Sequence, residues 1–317
     1  MNIVILDGHA MNPGDLDWEP FKHYGHVAVY DRSIGEEVVP RSKDADILVV
    51  NKVVISDSIM NLLPRLKMIC VSATGYNTID IVSARKRNIA VTNVPDYSSQ
   101  SVAQMVFAHL LNICNSVEHY AEANRHGAWS TASDFCYQDT SSIELAGKVM
   151  GIIGLGNIGS KVARIALAFG MKVLAFTSKP QNLLPEGIQK ADMEKLLEES
   201  DVVTLHCPQT PATTGLIDRN RLQMMKPTAV LINTSRGGLV DEEAVAEALS
   251  KKRLKAYAAD VMSQEPPKAG NPLLQEPNAF LTPHIAWATL EARQRLFNTC
   301  AENIKAFIEG HPVNVVS

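Results

Sequence analysis

A glycine-rich turn between a strand and a helix constrains this chain more than any other feature. Residues 148 to 178, KVMGIIGLGNIGSKVARIALAFGMKVLAFTS, read as strand, turn, helix and second strand. Val149, Ile152, Ile153 and Leu155 form the short apolar run of a parallel strand buried on both faces. Gly154, Gly156 and Gly159 then fit G-x-G-x-x-G. The first glycine permits a tight turn, the second lets backbone approach a pyrophosphate, and the third lets helix and strand pack closely. Ile158, Val162, Ile165, Ala166 and Phe169 recur at helical spacing, and the strand Lys172 to Phe176 follows. A phosphate would sit at the positive N-terminal end of that helix. This context, and not the glycines alone, points to dinucleotide binding.

One position departs from the pattern. An acidic residue that grips the ribose hydroxyls is expected at the end of the second strand, where this chain has Thr177, Ser178 and Lys179. Lys179 paired with a 2′-phosphate would favour NADP. Thr177 on the ribose, with Lys179 merely solvated, would suit NAD. Both alternatives stay open.

At 317 residues the chain exceeds one compact core, and two domains are expected. The 46% hydrophobic and 20% charged composition is that of a globular protein, and a net charge of -4 gives no basic surplus for nucleic acid or an anionic membrane. No apolar stretch reaches the roughly eighteen residues of a membrane span. The N-terminus runs directly into a strand, MNIVILD, with Asp7 at its end and no signal-peptide pattern. Five widely spaced cysteines read as reduced thiols, not as disulfides or a metal site, so the expected location is cytoplasmic.

Residues 1 to 93 alternate apolar strands with helical segments: Ile3 to Leu6, Val27 to Tyr30, Ile47 to Val50, Met68 to Ser72 and Ala90 to Thr92. About six strands recur between 149 and 282. Such alternation predicts an α/β protein of two Rossmann-like, doubly wound parallel-sheet domains separated by a cleft. The predicted boundaries are 1–98 plus 287–317 for a discontinuous substrate domain and 99–286 for the dinucleotide-binding domain, with a long C-terminal helix (Thr289 to Glu309) returning to the first. Ligands of open parallel sheets bind at the carboxyl ends of strands. Asn51 and Lys52 follow the third strand, and Gly75, Tyr76 and Asn77 follow the fourth, where backbone N–H groups can meet a carboxylate; these are candidate substrate contacts. One helix is predicted over Tyr97 to Tyr120, apolar on more than one face and therefore buried. The irregular arm 126–147 carries Trp129, Phe135 and Tyr137 and reads as a homodimer contact.

Hydride transfer is cofactor chemistry that needs an orienting cation and a proton carrier from the protein. Arg236, Asp260, Glu265 and His284 fall at predicted strand ends. A histidine at His284 can pass a proton to a carbonyl oxygen as hydride reaches carbon. Glu265 would orient the ring, Arg236 can fork onto a carboxylate, and Asp260 would receive the nicotinamide carboxamide. The competing reading pairs Arg236 with Asp241. His206, beside what looks like a cofactor-lining loop at Cys207 and Pro208, is the second choice for the acid.

Taken together, GLGNIG (154–159), LHCPQTPATTGLI (205–217), NTSRGGLVDEEAV (233–245), AADVMSQEPP (258–267) and TPHIAWAT (282–289) resemble the D-isomer-specific 2-hydroxyacid dehydrogenase family. LDGHAMNPGDLDW, SATGYNTIDI, NVPDYSSQSVAQMVFAHLL and DFCYQDTSSIELAGK look like its glycerate dehydrogenase (hydroxypyruvate reductase) branch. The resemblance implies Arg236, Glu265 and His284 as the catalytic set. It implies a substrate carboxylate held by loop amides at Gly75 to Asn77 with help from Arg236. It also implies cofactor contacts at Gly156, Asn157, Ile158, Cys207, Pro208, Thr213, Thr234, Ser235 and Asp260, and at Val102 and Ala103. The implied activity is NAD(P)-dependent interconversion of hydroxypyruvate and D-glycerate, with glyoxylate and glycolate as further substrates, by a two-domain dimer. A 3-phosphoglycerate dehydrogenase and, from another class, a nucleotide-sensing corepressor are the alternatives.

Overall fold

A computed structural model describes all 317 residues and divides them into two units, Met1–Ser98 with Ala288–Ser317, and Ser99–Trp287. In the first, β1 (Asn2–Ile5), β2 (His26–Val29), β3 (Ile47–Val50), β4 (Met68–Val71) and β5 (Ala90–Thr92) form a parallel sheet in the order β2-β1-β3-β4-β5. Every residue of β3 and β4 is buried, whereas edge strand β2 is not. Sequences as apolar as ILVV and MICV suit strands covered on both faces. The C-terminal helix Leu290–Ile308 starts at Thr289, whose side chain accepts the Ala292 N–H, and packs against β4. Its Phe297 closes an aromatic cluster with Trp18 and Phe21, ring centroids 4.8 and 5.2 Å away.

The second unit holds β6 (Val149–Ile153), β7 (Lys172–Phe176), β8 (Ile188–Lys190), β9 (Val202–Leu205), β10 (Val230–Asn233), β11 (Ala256–Ala259) and β12 (Ala279–Leu281), all parallel in the order β12-β11-β10-β9-β6-β7-β8. The strand order reverses at β6, whose neighbours are β7 and β9. That switch point is where doubly wound sheets bind nucleotides. Seven strands replace the six expected, because β8 is three residues long with only Ile188 buried and carries no apolar run.

The single helix expected over 97–120 is two, Ser99–Asn115 and Val117–Arg125. Ser116 lies between them at φ +51°, a left-handed conformation that redirects the chain. The first helix buries Ala103, Val106, Phe107 and Leu110 against the helix Asn157–Ala168 and the sheet. In the arm 126–147, Trp129 is exposed and Phe135 is 89% exposed. Tyr137 is half-buried: its hydroxyl donates to Asn124 Oδ1 at 2.7 Å and its ring meets Tyr120 edge-on. All five cysteines are unpaired, and no helix is long and apolar enough to cross a membrane.

Candidate active site

The glycine turn closes β6 against the neighbouring strand ends. Gly154 adopts φ +97°, and a Cβ there would stand 2.6 Å from the His206 carbonyl oxygen. A Cβ on Gly159 would stand 2.1 Å from the Gly154 carbonyl oxygen. Protein packing therefore explains both residues. It does not explain Gly156, the N-cap of the helix Asn157–Ala168, where a Cβ would meet nothing within 4 Å. Open space before a twelve-residue helix is the cradle a pyrophosphate needs. At the ends of β9 and β10, His206 Nδ1 and Thr234 Oγ1 are buried without a protein partner. The residues present fit a dinucleotide.

At the end of β7, Lys179 is not merely solvated: its Nζ donates to the Leu155 carbonyl in the glycine turn at 2.8 Å. Its backbone N–H bonds Thr177 Oγ1 at 3.3 Å, with exposed Ser178 between them. Lys190 Nζ in turn donates to the Lys179 carbonyl at 2.8 Å. After β9, the Thr213 hydroxyl donates to the Pro208 carbonyl at 2.7 Å and closes the loop, while burial pushes the Cys207 thiol pKa up. His206 Nε2 lies 2.9 Å from Thr204 Oγ1, and burial pushes its pKa down to about 3. An imidazole neutral throughout the physiological range supplies no imidazolium, which corrects its reading as a second-choice acid.

The β10 turn is built by Asn233, which donates to the Arg236 carbonyl and accepts from the Ser235 N–H, and by Ser235 Oγ, which donates to the Leu205 carbonyl at 2.7 Å. Arg236 is exposed and donates through Nη1 to the Ser235 carbonyl at 2.7 Å. Asp241, its alternative partner, instead accepts the Ala244 N–H as a helix cap. A Cβ on Gly237 would stand 1.9 Å from the Met262 carbonyl carbon, so the Arg236 turn lies directly on the loop that carries Glu265. Glu265 Oε1 accepts the Met262 N–H at 3.0 Å, and Oε2 lies 2.6 Å from His284 Nδ1. With a carboxylate as partner, Nδ1 carries a hydrogen, which leaves Nε2 as the ring nitrogen not engaged by Glu265. Both side chains remain partly open to solvent.

His284 sits at φ +56°, left-handed for a residue with a Cβ. Its own N–H bonds the Thr282 carbonyl, and the Trp287 indole N–H bonds the His284 carbonyl at 2.9 Å. Asp260, 1% exposed, accepts the Thr282 hydroxyl at 2.6 Å and the Ile285 N–H at 2.9 Å on Oδ1, and the Ala286 N–H at 2.7 Å on Oδ2. This carboxylate, expected to meet a carboxamide, holds the turn that presents His284.

In the other unit, Asn51 is 6% exposed and its amide donates to the Ser72 carbonyl at 2.6 Å, tying the ends of β3 and β4. The amide of this candidate substrate contact is thus committed to the Ser72 carbonyl. The buried Asp7 carboxylate accepts the N–H groups of Asn51, Lys52 and Val53. Its pKa is raised, because desolvation outweighs those bonds. The Lys52 side chain is exposed, as are Tyr76 and Asn77, with Gly75 half-buried before them. Val102 and Ala103 are buried in the first turns of their helix. Sequence reasoning gave no role to Asp7, Thr282 or His109. Asp7 shows in the sequence only as the end of a strand, and His109 as an ionisable residue on an apolar helix face.

Open parallel sheets with this turn and a histidine–carboxylate pair define a nicotinamide-nucleotide oxidoreductase. Residues 107–286 match the D-isomer specific 2-hydroxyacid dehydrogenase, NAD binding domain. The chain is 42% identical to a hydroxypyruvate reductase of Blautia hydrogenotrophica over the whole of both proteins. It is also 42% identical to a glycerate dehydrogenase of Methylorubrum extorquens over 89% of this chain and 88% of that one. The crystal structure of the TT0316 protein from Thermus thermophilus superposes with a TM-score of 0.90 at 33% identity, covering all of both chains. The chain belongs to the D-isomer specific 2-hydroxyacid dehydrogenases.

Proposed function

We propose that this protein reduces hydroxypyruvate to D-glycerate, and glyoxylate to glycolate as a second substrate pair, in a reversible reaction. The observation that carries the reading is the 2.6 Å pairing of His284 Nδ1 with Glu265 beside the Arg236 turn. The bound nicotinamide supplies the hydride. His284 Nε2 gives a proton to the carbonyl oxygen and recovers it in the reverse direction, and Glu265 stabilises the charged ring between the two events. Arg236 orients the substrate carboxylate in a forked contact. The Met1–Ser98 unit is read as the substrate domain on its own loop amides at Gly75, Tyr76 and Asn77. The names of the two full-length relatives support the choice of keto acid. NAD is the favoured cofactor, since Lys179 is already bonded to the Leu155 carbonyl. Exposed Trp129 and Phe135 support a homodimer contact at the arm, and five unpaired cysteines support a cytoplasmic setting.

The test is loss of nicotinamide absorbance with hydroxypyruvate, glyoxylate, pyruvate and 3-phosphohydroxypyruvate, each with NADH and NADPH, for the native protein and His284→Ala. Hydroxypyruvate should give the highest kcat/KM, and His284→Ala should cut turnover by about a hundredfold or more. Near-native turnover in the variant would remove His284 from the reaction, and preference for another keto acid would replace the substrate.

A further inference from the structure

We propose that His109, acting through Thr282 and Asp260, holds the left-handed turn that presents His284 and is a positioning residue for proton transfer. The inference rests on the reading of His284 as the acid. His109 is 8% exposed, on the helix Ser99–Asn115, and its Nε2 lies 3.2 Å from Thr282 Oγ1.

The direction of each bond follows from counting hydrogens. Thr282 has one hydroxyl hydrogen, and the Asp260 carboxylate, which only accepts, takes it at 2.6 Å. Thr282 Oγ1 must therefore accept from His109, so Nε2 of His109 carries a hydrogen. The ring is neutral in this role: burial pushes its pKa down, and Asp260, the one charged group opposing that shift, does not reverse it. The result is a polarised chain from His109 N–H through Thr282 O–H to the Asp260 carboxylate. Bonds in such a chain reinforce one another.

Its far end carries the load. Asp260 holds the N–H groups of Ile285 and Ala286, the two residues after His284. The Ser101 hydroxyl, just over two helical turns before His109, donates to the Ala286 carbonyl. A left-handed conformation at a residue with a Cβ costs of order 1–3 kcal/mol and persists only where its surroundings over-determine it. An apolar side chain at position 109 would leave Thr282 Oγ1 with its bond to Asp260 and no donor behind it, free to turn. The imidazole of His284 would then sample orientations away from the reacting carbonyl, and misplacement of that kind lowers kcat while leaving cofactor binding at β6 untouched.

The experiment uses the full-length enzyme with hydroxypyruvate and NADH, comparing His109→Leu, His109→Gln, Thr282→Val, Thr282→Ser and His284→Ala, with a thermal melt on each. His109→Leu should lower kcat about tenfold with KM for NADH within twofold. His109→Gln, whose side-chain amide can donate to Thr282, should recover most of the loss. Thr282→Val should repeat the defect and Thr282→Ser should not. A folded His109→Leu enzyme with native kcat overturns the proposal. Should that variant not fold, Thr282→Val decides, and native kcat there overturns it equally. Equal defects in His109→Leu and His109→Gln also overturn it, because bulk and not the hydrogen bond would then matter. Native turnover in His284→Ala would instead sink the assignment of the acid, a separate outcome.

Discussion

Two alanine substitutions three residues apart should have opposite effects, and the glycine turn gives the reason. At Gly159 a Cβ would stand 2.1 Å from the Gly154 carbonyl, where real contacts stay beyond 3.0 Å, so the helix must retreat from the strand by about 1 Å. The obstacle is backbone and cannot rotate aside. Overpacking of this kind costs about 2–3 kcal/mol, which for a unit of this size lowers Tm by roughly 4 to 12 °C. At Gly156 a Cβ meets nothing within 4 Å, and Gly→Ala at an N-cap costs about 0.5 kcal/mol, so Tm should move by no more than about 2 °C. The methyl group would occupy the space of the pyrophosphate, and KM for NADH should rise at least about tenfold. Differential scanning fluorimetry with and without NADH, beside steady-state kinetics, separates the two. Gly156→Ala should keep its melt and lose the ligand-induced rise. A native KM for Gly156→Ala would show that the pyrophosphate does not lie on this turn, and a native Tm for Gly159→Ala would refute the packing argument.

Thr177→Asp should penalise NADPH more than NADH, since a carboxylate opposes a 2′-phosphate at a cost of several kcal/mol and can accept from ribose hydroxyls. Equal changes in kcat/KM for both cofactors would place residue 177 away from the ribose. His206 is held neutral in the fold, with its pKa lowered from 6.5 to about 3, while the unfolded chain binds a proton below 6.5. Its stabilising contribution is therefore complete above pH 6.5 and is lost as pH falls towards 3, by about 5 kcal/mol over the whole window. Urea titrations at pH 7 and 5 should show a steeper loss for the native protein than for His206→Gln, and parallel losses would contradict the burial argument.

The parts of this fold that are legible in the sequence are those specified by neighbours in the chain. The glycine spacing, the apolar runs of β3 and β4 and the cap at Thr289 each act within a few residues, and each lies where the sequence pattern puts it. Strand β8 was illegible because an edge strand with one buried residue needs no apolar pattern. The break at Ser116 was illegible because Asn115 and Ser116 are compatible with helix as well as with a left-handed turn. The site divides in the same way. Glu265 and His284 stand out as ionisable residues in loops at strand ends. The residues that hold them in place do not, since His109 meets Thr282 across 173 residues of chain. Asp7 reaches Asn51 across 44. Only the packed sheet brings these groups together.

Asp7 and Asp260 solve one problem in two separate sheets. Each carboxylate follows a parallel strand, is buried, and accepts backbone N–H groups from the loop after another strand of its sheet. A loop leaving the carboxyl end of a strand has lost its ladder partners, and buried N–H groups must be satisfied elsewhere. A carboxylate offers about four acceptor positions at one point, which a hydroxyl or amide cannot match. The arrangement has a cost, visible at Asp7, where desolvation outweighs three backbone donors and raises the pKa. A neutral replacement at Asp7 would avoid that penalty but hold fewer N–H groups, so there the fold trades stability for fixed loop geometry. Both loops lie at the ends of the strands where open parallel sheets take their ligands. The buried carboxylates thus form the rigid footing of the loop after β3 in one unit and of the His284 turn in the other, and the side chains those loops present inherit their positions from them.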